Sequence, residues 1–393
     1  MRPVREDSPT AEQIARFDSL KNGDLLDGFP EAFLRRMEIQ GHCADGRRLC
    51  GENRLKAIYA KRGMAVFAGA GVSYGSGIPL WREVVERAVQ QTFPNGSSSA
   101  QEIVSSLAAA RVSITAQLDI CDRMLGSHPS DRTFDQILYD SLYGKPDFEA
   151  LREHLRRSDW PAAIGEFQKN KTLCALGDML LAGSPNRNIH AVLTTNADNL
   201  LQLYTRAVAS GHRLVSSIQG PADTPLPGTI PVFHLHGYLD ARKNADDVET
   251  GEYAYGLVFK ESEYFQTFSD PASFANYTPL SILQRNNAMI VGTALDDIDI
   301  RRWLYQSASE RRSHRRAELQ VLYSSHYDAA DQEAELDTIR HFWLRSETEI
   351  PEPREQIKSH LDHSVRELGT EIIWCPDFDS LASSLRNLPQ GNS

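Results

Sequence analysis

Four short motifs in this sequence carry side chains that could bind a nucleotide and act on its sugar. One is a glycine-rich run at residues 69–77 (GAGVSYGSG), and the others lie at residues 194–198 (TTNAD), 234–237 (HLHG) and 291–297 (VGTALDD). They supply hydroxyl, amide, imidazole and carboxyl groups, which can hold ribose hydroxyls and move protons. The sequence has no HExxH motif and no convergent carboxylate set. We therefore expect no metal ligands at this site.

The glycine-rich run follows a predicted buried strand. Residues 64–67 form a short apolar segment, and an amphipathic helix pattern begins at Trp81. Glycines at such a turn let backbone amides approach a pyrophosphate, whose charge also favours a helix N-terminus. The run lacks the lysine of GxxxxGK[ST] and breaks the GxGxxG spacing. It predicts a dinucleotide site that differs from an ordinary dehydrogenase site.

The elements that position these motifs alternate between strands and helices. Short apolar runs predict six strands, at residues 64–68, 190–194, 230–235, 288–292, 319–323 and 371–374. Predicted helices between the later strands include 297–312, 328–345 and 353–368. This alternation predicts an α/β fold with a doubly wound parallel sheet. In such a sheet the four motifs share the carboxyl edge, where ligands bind.

The domain organisation follows from the lengths of these segments. Residues 1–60 are polar with short apolar stripes, and they predict an N-terminal helical arm. Residues 61–388 are expected to form the nucleotide-binding domain. Within it, residues 92–188 are mostly helical in pattern and much longer than a usual crossover. They predict an inserted helical subdomain.

Composition narrows the classes of function. The chain has 393 residues, 41% of them hydrophobic, and a net charge of −11, which disfavours general nucleic-acid binding. The sequence contains no run of eighteen apolar residues, so no membrane span is expected. The first residues lack the apolar core of a secretory signal. The five cysteines form no CxxC pair, so we expect reduced cysteines and no zinc site. These features predict a cytoplasmic location.

Each motif also has a purely structural explanation. Asn196 and Asp198 could only cap a helix, and the Gly292 motif could form only a turn. His234 and His236 share one side of a strand, so one of them is expected to be deeper and structural. The coincidence of four such motifs at successive strand ends favours a functional site over these separate explanations.

Taken in order, the motifs GAGVSxxSGIP, TTNxD, HG and G-T-x-x-x-D resemble those of the sirtuin family, over roughly residues 60–388. The resemblance implies a Rossmann-like, sirtuin-type fold. It implies Asn196 and His236 as catalytic residues. It also implies an NAD pocket lined by residues of all four motifs: Gly69, Ala70, Gly71, Ser73, Ser76, Ile78, Pro79, Trp81, Thr195, Asp198, Gly292 and Thr293.

The sequence departs from deacetylating sirtuins at three points. Residues 77–82 read GIPLWR where those enzymes carry GIPDFR, residues 194–198 read TTNAD where they carry TQNID, and their two CxxC pairs for zinc are missing. In these respects the chain resembles the sirtuin-like NAD hydrolases of prokaryotic anti-phage defence systems. That resemblance implies NAD⁺ as a substrate split into nicotinamide and ADP-ribose, a homo-oligomer, and in some cases a partner ATPase of the HerA translocase type.

Two other classes of function stay open at this point. One is a sensor subunit that binds NAD or ADP-ribose and cleaves nothing. The other is an NAD-dependent protein deacylase or ADP-ribosyltransferase. The presence of both Asn196 and His236 at strand ends argues against a pure sensor.

Overall fold

A computed structural model of the protein describes residues 51–389, except 53, 61–62, 94–99, 128–131, 183–187, 246–256, 296, 324–340 and 367. The predicted N-terminal arm therefore lies mostly outside the described residues. In its last part, residues 51–52 and 54–60 are helical, and Leu55 and Tyr59 are buried in the main core. The boundary after residue 60 stays a prediction.

The protein is built on a sheet of seven strands. Their bounds are β1 Met64–Ala68, β2 Ile189–Thr194, β3 Val215–Ile218, β4 Ile230–His234, β5 Ala288–Val291, β6 His341–Ser346 and β7 Thr370–Cys375. The spatial order is β3-β4-β2-β1-β5-β6-β7, and all neighbouring pairs are parallel. The chain winds from β1 toward β2 and later continues from β5 on the other side of β1. This confirms the predicted doubly wound parallel α/β fold.

The central strand β1 shows why the sheet must be covered on both faces. All five of its residues are buried. Met64 and Val66 belong to one hydrophobic cluster, whereas Ala65 and Phe67 belong to the other. Alternate side chains of a strand point to opposite faces, so β1 joins two helical layers.

Helices cover both faces of the sheet. Besides residues 51–60 they are Gly71–Tyr74, Trp81–Thr92, Ala100–Ala109, Ile114–Ser127, Phe134–Tyr143, Pro146–Arg157, Trp160–Phe167, Lys171–Ala182, Leu200–Val208, Glu261–Ser269, Phe274–Arg285, Ile298–Tyr323, Arg354–Arg366 and Phe378–Asn387. Within the described residues, no helix combines the length and apolar character that a membrane crossing requires.

Three elements differ from the sequence prediction. The strand predicted at 319–323 is wrong, because these residues complete the helix Ile298–Tyr323. The helix predicted at 328–345 is wrong at its end, because residues 341–345 belong to β6, and residues 328–340 lie outside the described residues. The strand β3 was not predicted. A short apolar run does not by itself distinguish a strand from part of a buried helix.

The segment predicted as a helical insertion packs into the same core as the sheet. In its described residues it contains six helices between Thr92 and β2. Its Phe148 and Phe167 are fully buried in the cluster that includes β1 residues, and the Tyr143 hydroxyl donates to the Leu239 carbonyl oxygen at 2.7 Å. That this segment forms a separate, inserted subdomain stays a prediction.

Candidate functional site

The loop after β1 and the loop after β5 are joined at the carboxyl edge of the sheet. The Gly69 amide donates to the Val291 carbonyl oxygen at 2.9 Å, and the Gly71 amide donates to the Gly292 carbonyl oxygen at 2.7 Å. A Cβ on Gly69 would lie 2.5 Å from that Gly292 oxygen, and one on Gly71 would lie 2.9 Å from it. These glycines therefore allow two backbone segments to approach each other closely.

Two backbone amides of the glycine-rich run donate hydrogen bonds within the run itself. The Val72 amide donates to the Gly69 carbonyl oxygen at 3.0 Å, and the Ser73 amide donates to the Ala70 oxygen at 3.1 Å. These amides are used within the turn, and the helix that follows has only four residues. Phosphate binding by this run and by Ser73 stays a prediction.

The asparagine of the second motif is held firmly at the end of β2. The Thr194 hydroxyl donates to the Ala68 carbonyl oxygen at 2.8 Å and accepts from the Asn196 amide at 3.0 Å. The Asn196 Nδ2 donates to the Gly69 carbonyl oxygen at 3.0 Å. The Asn196 Oδ1 is buried and has no hydrogen-bond partner among the described residues. The side chain thus keeps a free acceptor beside the glycine-rich loop.

Asp198 connects the second motif with the first. Its Oδ1 accepts from the Ser73 hydroxyl at 2.8 Å and from the Leu200 amide at 3.0 Å, at the start of the helix Leu200–Val208. The carboxyl group is buried, and this burial raises its pKa above the usual value. Asp198 thus links the two motifs just before the helix begins, and its place in an NAD pocket stays a prediction.

The two histidines after β4 have different surroundings. His234 is the more buried of the two, at 1% exposure. Its Nδ1 lies 3.4 Å from the Asn196 carbonyl oxygen, and its Nε2 is hydrogen-bonded to the Gln202 side-chain amide. Burial lowers its pKa to about 3. His234 thus matches the deeper, structural histidine that the strand pattern predicts.

His236 has no such partners. It is 4% exposed, and its Nε2 is buried without a hydrogen bond from any described residue. Its ring meets the Tyr264 ring edge-on, with centroids 5.2 Å apart and an interplanar angle of 77°. Burial lowers the pKa of His236 to about 4, although the negative charge of Asp297 acts to raise it. The imidazole is therefore neutral at pH 7 and can accept a proton.

Asn196 and His236 come from neighbouring strand ends. The end of β2 pairs with the end of β4, Thr194 with His234, and the Leu235 amide donates to the Thr194 carbonyl oxygen at 2.9 Å. The loop after β1 contacts both Asn196 and the loop after β5. The carboxyl edge at β1, where the winding direction reverses, is the usual ligand position in such sheets.

Asn170 is a buried site neighbour that sequence reasoning missed. Its Nδ2 donates to the Val72 carbonyl oxygen at 2.8 Å and, at 3.0 Å, to the hydroxyl of Ser76, one of the predicted site residues. Its Oδ1 accepts from the Leu173 amide at 3.1 Å. Asn170 fixes the turn after the glycine-rich run from almost one hundred residues away, and no local sequence signal indicates this contact.

The rest of the first motif packs into the protein. Ile78 is 2% exposed in the main core, and Pro79 is buried as well. The half-buried Trp81 packs on Phe259 with ring centroids 5.0 Å apart. Ala70 is half-buried at the turn. These residues shape the edge of the site by packing, and contact with a nucleotide stays a prediction for them.

The remaining predicted residues lie at the ends of β2 and β5. Thr195 is half-buried beside Asn196. Gly292 has a φ of +71°, a conformation that glycine adopts without strain. Thr293 is half-buried, and its carbonyl oxygen accepts from the Trp343 Nε1 at 3.0 Å. The structure thus brings members of all four motifs to one edge of the sheet.

Two cavities in the described residues bear on ligand binding. One of about 10 Å³ is lined by Asn196, Asp198, Gln202 and His234, and it has room for about one water molecule. Another of about 310 Å³ lies elsewhere, between the helix at residues 51–60, β6, β7 and the last helix. The first borders Asn196 but is far too small for a dinucleotide, and the second lies away from both Asn196 and His236. The position of a bound NAD therefore stays a prediction. The part of the chain that the structure describes contains no cluster of three or more metal-ligating side chains.

Part of the chain is similar to a known protein family. Residues 190–344 match the family model described as the SIR2-like domain. The matched segment runs from β2 into β6 and includes Asn196, Asp198, His236, Gly292 and Thr293, but it begins after the glycine-rich run. A comparison with curated proteins found no match. The family match supports a sirtuin-like family for this chain and NAD-related chemistry in general.

Proposed function

We propose that this chain is an NAD⁺ hydrolase that cleaves the nicotinamide–ribose bond and releases nicotinamide and ADP-ribose. The observation that carries the proposal is the pair of buried, unpartnered polar atoms Asn196 Oδ1 and His236 Nε2. A buried polar group without a hydrogen bond costs about 1–3 kcal/mol. A substrate bound at these neighbouring strand ends would supply both atoms with the missing hydrogen-bond partners.

These two hydrogen-bond acceptors fit the sugar next to the scissile bond. Ribose hydroxyls and a water molecule are hydrogen-bond donors, and Asn196 Oδ1 can only accept. Because its Nδ2 is bound to Gly69, the amide cannot rotate without losing a hydrogen bond. The neutral His236 imidazole presents a second acceptor when its proton is on Nδ1. Asn196 would hold the attacking water or a ribose hydroxyl, and His236 would take the proton.

The proposed reaction needs no strong general acid. The bond between the ribose C1′ and the pyridinium nitrogen breaks, and its electron pair neutralises nicotinamide as it leaves. The water oxygen bonds to C1′, and its proton passes to His236 Nε2 and then to solvent. The protein therefore has to orient the substrate, place the water and accept one proton.

The biological setting is proposed on the resemblance alone. We propose that NAD depletion serves anti-phage defence in the cytoplasm, and that the chain acts as a homo-oligomer, with a HerA-type ATPase as a candidate partner. The two alternative classes of function, an NAD or ADP-ribose sensor and a deacylase or ADP-ribosyltransferase, give different products from NAD and become outcomes of the same experiment.

The test is to incubate the purified full chain with NAD⁺ and to quantify nicotinamide and ADP-ribose by chromatography. We expect hydrolysis by the wild type and a loss of about 100-fold or more in Asn196→Ala and His236→Ala, since a positioned acid–base group contributes about 10²–10⁴. The control is His212→Ala, which alters an exposed histidine outside the site and should leave the rate unchanged. Circular dichroism checks that each variant is folded.

The results separate the functions. Full hydrolysis by both site variants would overturn the proposal. A rise in melting temperature with NAD and no product identifies a sensor. Nicotinamide release that requires an acylated peptide identifies a deacylase, and ADP-ribose attached to protein identifies a transferase.

A further inference from the structure

The orientation of the His236 ring depends on packing. Its Nε2 has no hydrogen-bond partner among the described residues, and only the main-chain oxygen of His236 is bound, by the Val258 amide at 3.1 Å. The Tyr264 ring lies edge-on to the imidazole at 5.2 Å. Edge-to-face pairs restrict the relative tilt of two rings. Tyr264 is thus the aromatic neighbour able to fix where Nε2 points.

Tyr264 is carried by the helix Glu261–Ser269, whose end is anchored by a buried asparagine. Asn276 is 2% exposed and lies on the next helix. Its Nδ2 donates to the carbonyl oxygens of Thr267 at 2.6 Å and Asp270 at 2.9 Å. One side chain therefore binds the last turn of the Tyr264 helix and the residue that follows it.

Asn276 is itself bound to the segment that follows β5. The Arg302 Nη2 donates to the Asn276 Oδ1 and, at 2.9 Å, to the Asp299 Oδ1. Asp299 is 1% exposed, and its backbone amide donates to the Asp297 carboxylate at 2.8 Å. A continuous set of hydrogen bonds runs from the start of the helix Ile298–Tyr323 to the helix that carries Tyr264.

We propose that Tyr264 is a positioning residue for His236, and that Asn276, Arg302 and Asp299 hold it in place. The inference rests on the proposed function, since it assigns a purpose to the orientation of His236. The ring of Tyr264, and not its hydroxyl, makes the contact. Loss of an aromatic pair is expected to lower the fraction of correctly oriented imidazole about two- to tenfold.

The experiment compares Tyr264→Phe, which keeps the ring, with Tyr264→Leu, which removes it. We expect Tyr264→Phe to retain wild-type kcat and KM, and Tyr264→Leu to lower kcat about two- to tenfold with KM for NAD⁺ within about twofold. Asn276→Ser disturbs the anchor away from the ring and should lower kcat in the same way. The matched control is Tyr277→Leu, since Tyr277 is 62% exposed on the helix that carries Asn276.

A second measurement does not depend on activity. With ¹³C-labelled histidine, the His236 signal is assigned by its loss in His236→Ala and followed with pH in the absence of NAD. In the wild type His236 should titrate well below pH 6.5, and in Tyr264→Leu its titration should move upward as the ring becomes less confined.

These readouts distinguish the failure of the inference from that of the proposed function. A wild type without hydrolysis but with the expected change in His236 titration overturns the proposed function alone. An unchanged kcat and an unchanged His236 titration in Tyr264→Leu overturn the positioning role. Equal loss in Tyr264→Phe and Tyr264→Leu also overturns it, because the hydroxyl would then be the group that matters.

Discussion

Replacing His236 by leucine should leave the fold as stable as the wild type or more stable. The wild type bears the cost of the unpartnered Nε2, about 1–3 kcal/mol. Leucine has a similar volume and removes that cost, while it loses the contact with the Tyr264 ring, worth about 0.5–1.5 kcal/mol. At pH 7 we expect a net stabilisation of about 1 kcal/mol, together with the loss of the proposed NAD hydrolysis.

The matched variant is His234→Leu, two residues earlier. Both His234 ring nitrogens have polar neighbours, the Gln202 amide and the Asn196 carbonyl oxygen. Leucine would leave these buried groups unpaired, so we expect a loss of about 1–3 kcal/mol. Because both histidines are buried and receive the same substitution, the difference between the variants isolates the effect of the missing hydrogen bonds.

The difference in stability between His236→Leu and the wild type should also depend on pH. The pKa of His236 is lowered to about 4 in the folded state, whereas an unfolded histidine titrates near 6.5. Between these values the unfolded state binds more protons, so the wild type loses stability as pH falls below about 6.5. His236→Leu lacks this loss. Its advantage over the wild type should therefore be about 2 kcal/mol larger at pH 5 than at pH 7.

Urea denaturation followed by fluorescence measures these free energies at both pH values. A His236→Leu variant as destabilised as His234→Leu at pH 7 would refute the reasoning, because it would mean that Nε2 has a stabilising partner in the native protein. A stability gap that does not change between pH 5 and pH 7 would refute the assignment of a buried, neutral imidazole.

Two further predictions concern Gly292, in the loop after β5, and Asp299, at the start of the helix that follows it. Gly292→Ala should cost about 2–5 kcal/mol in urea denaturation, since its Cβ would lie 2.6 Å from the Val72 amide nitrogen, whereas Gly228→Ala, with a similar positive φ and no atom within 4 Å, should cost about 1–2 kcal/mol. Equal losses would show that the loop can relax. Burial raises the pKa of Asp299 from 3.8 to about 6. The folded state therefore binds its proton more tightly than the unfolded state does, and the stability of the wild type falls as pH rises through about 6. The unfolding free energy of Asp299→Asn, relative to that of the wild type, should therefore increase by about 1–2 kcal/mol from pH 5 to pH 8. If this difference is the same at both pH values, the pKa of Asp299 is not raised.

Local patterns in the sequence were sufficient to predict the central part of the fold. The strands β1, β2, β4 and β5 are short apolar runs followed by glycine, asparagine or histidine, so their carboxyl ends could be located. The pattern failed where it was ambiguous. β3 contains two serines and little apolar character, and residues 319–323 are apolar but continue a helix that no glycine or proline interrupts.

The contacts that define the candidate site could not be predicted in the same way. Asn170 reaches the glycine-rich loop from 98 residues beyond Val72, and Tyr264 reaches His236 from a different helix. Such contacts depend on the tertiary arrangement and leave no periodic signal. The strand pattern alone did not show which of His234 and His236 is the deeper one, and only the family resemblance pointed to His236, because the difference depends on which ring has hydrogen-bond partners.

The glycine-rich run shows how the same residues can support two explanations. Read along the sequence, the glycines predict a phosphate cradle, whereas in the structure Gly69 and Gly71 make room for the backbone at Gly292. The two explanations are compatible if the joined loops after β1 and β5 form the surface, or floor, of the dinucleotide site. The glycines would then determine how close the ends of β1 and β5 come, and Asn196, bound to the Gly69 carbonyl oxygen, would keep its position relative to that floor. If the proposed function holds, Gly292→Ala should weaken NAD binding as well as stability, because it moves the loop to which the Asn196 amide is hydrogen-bonded.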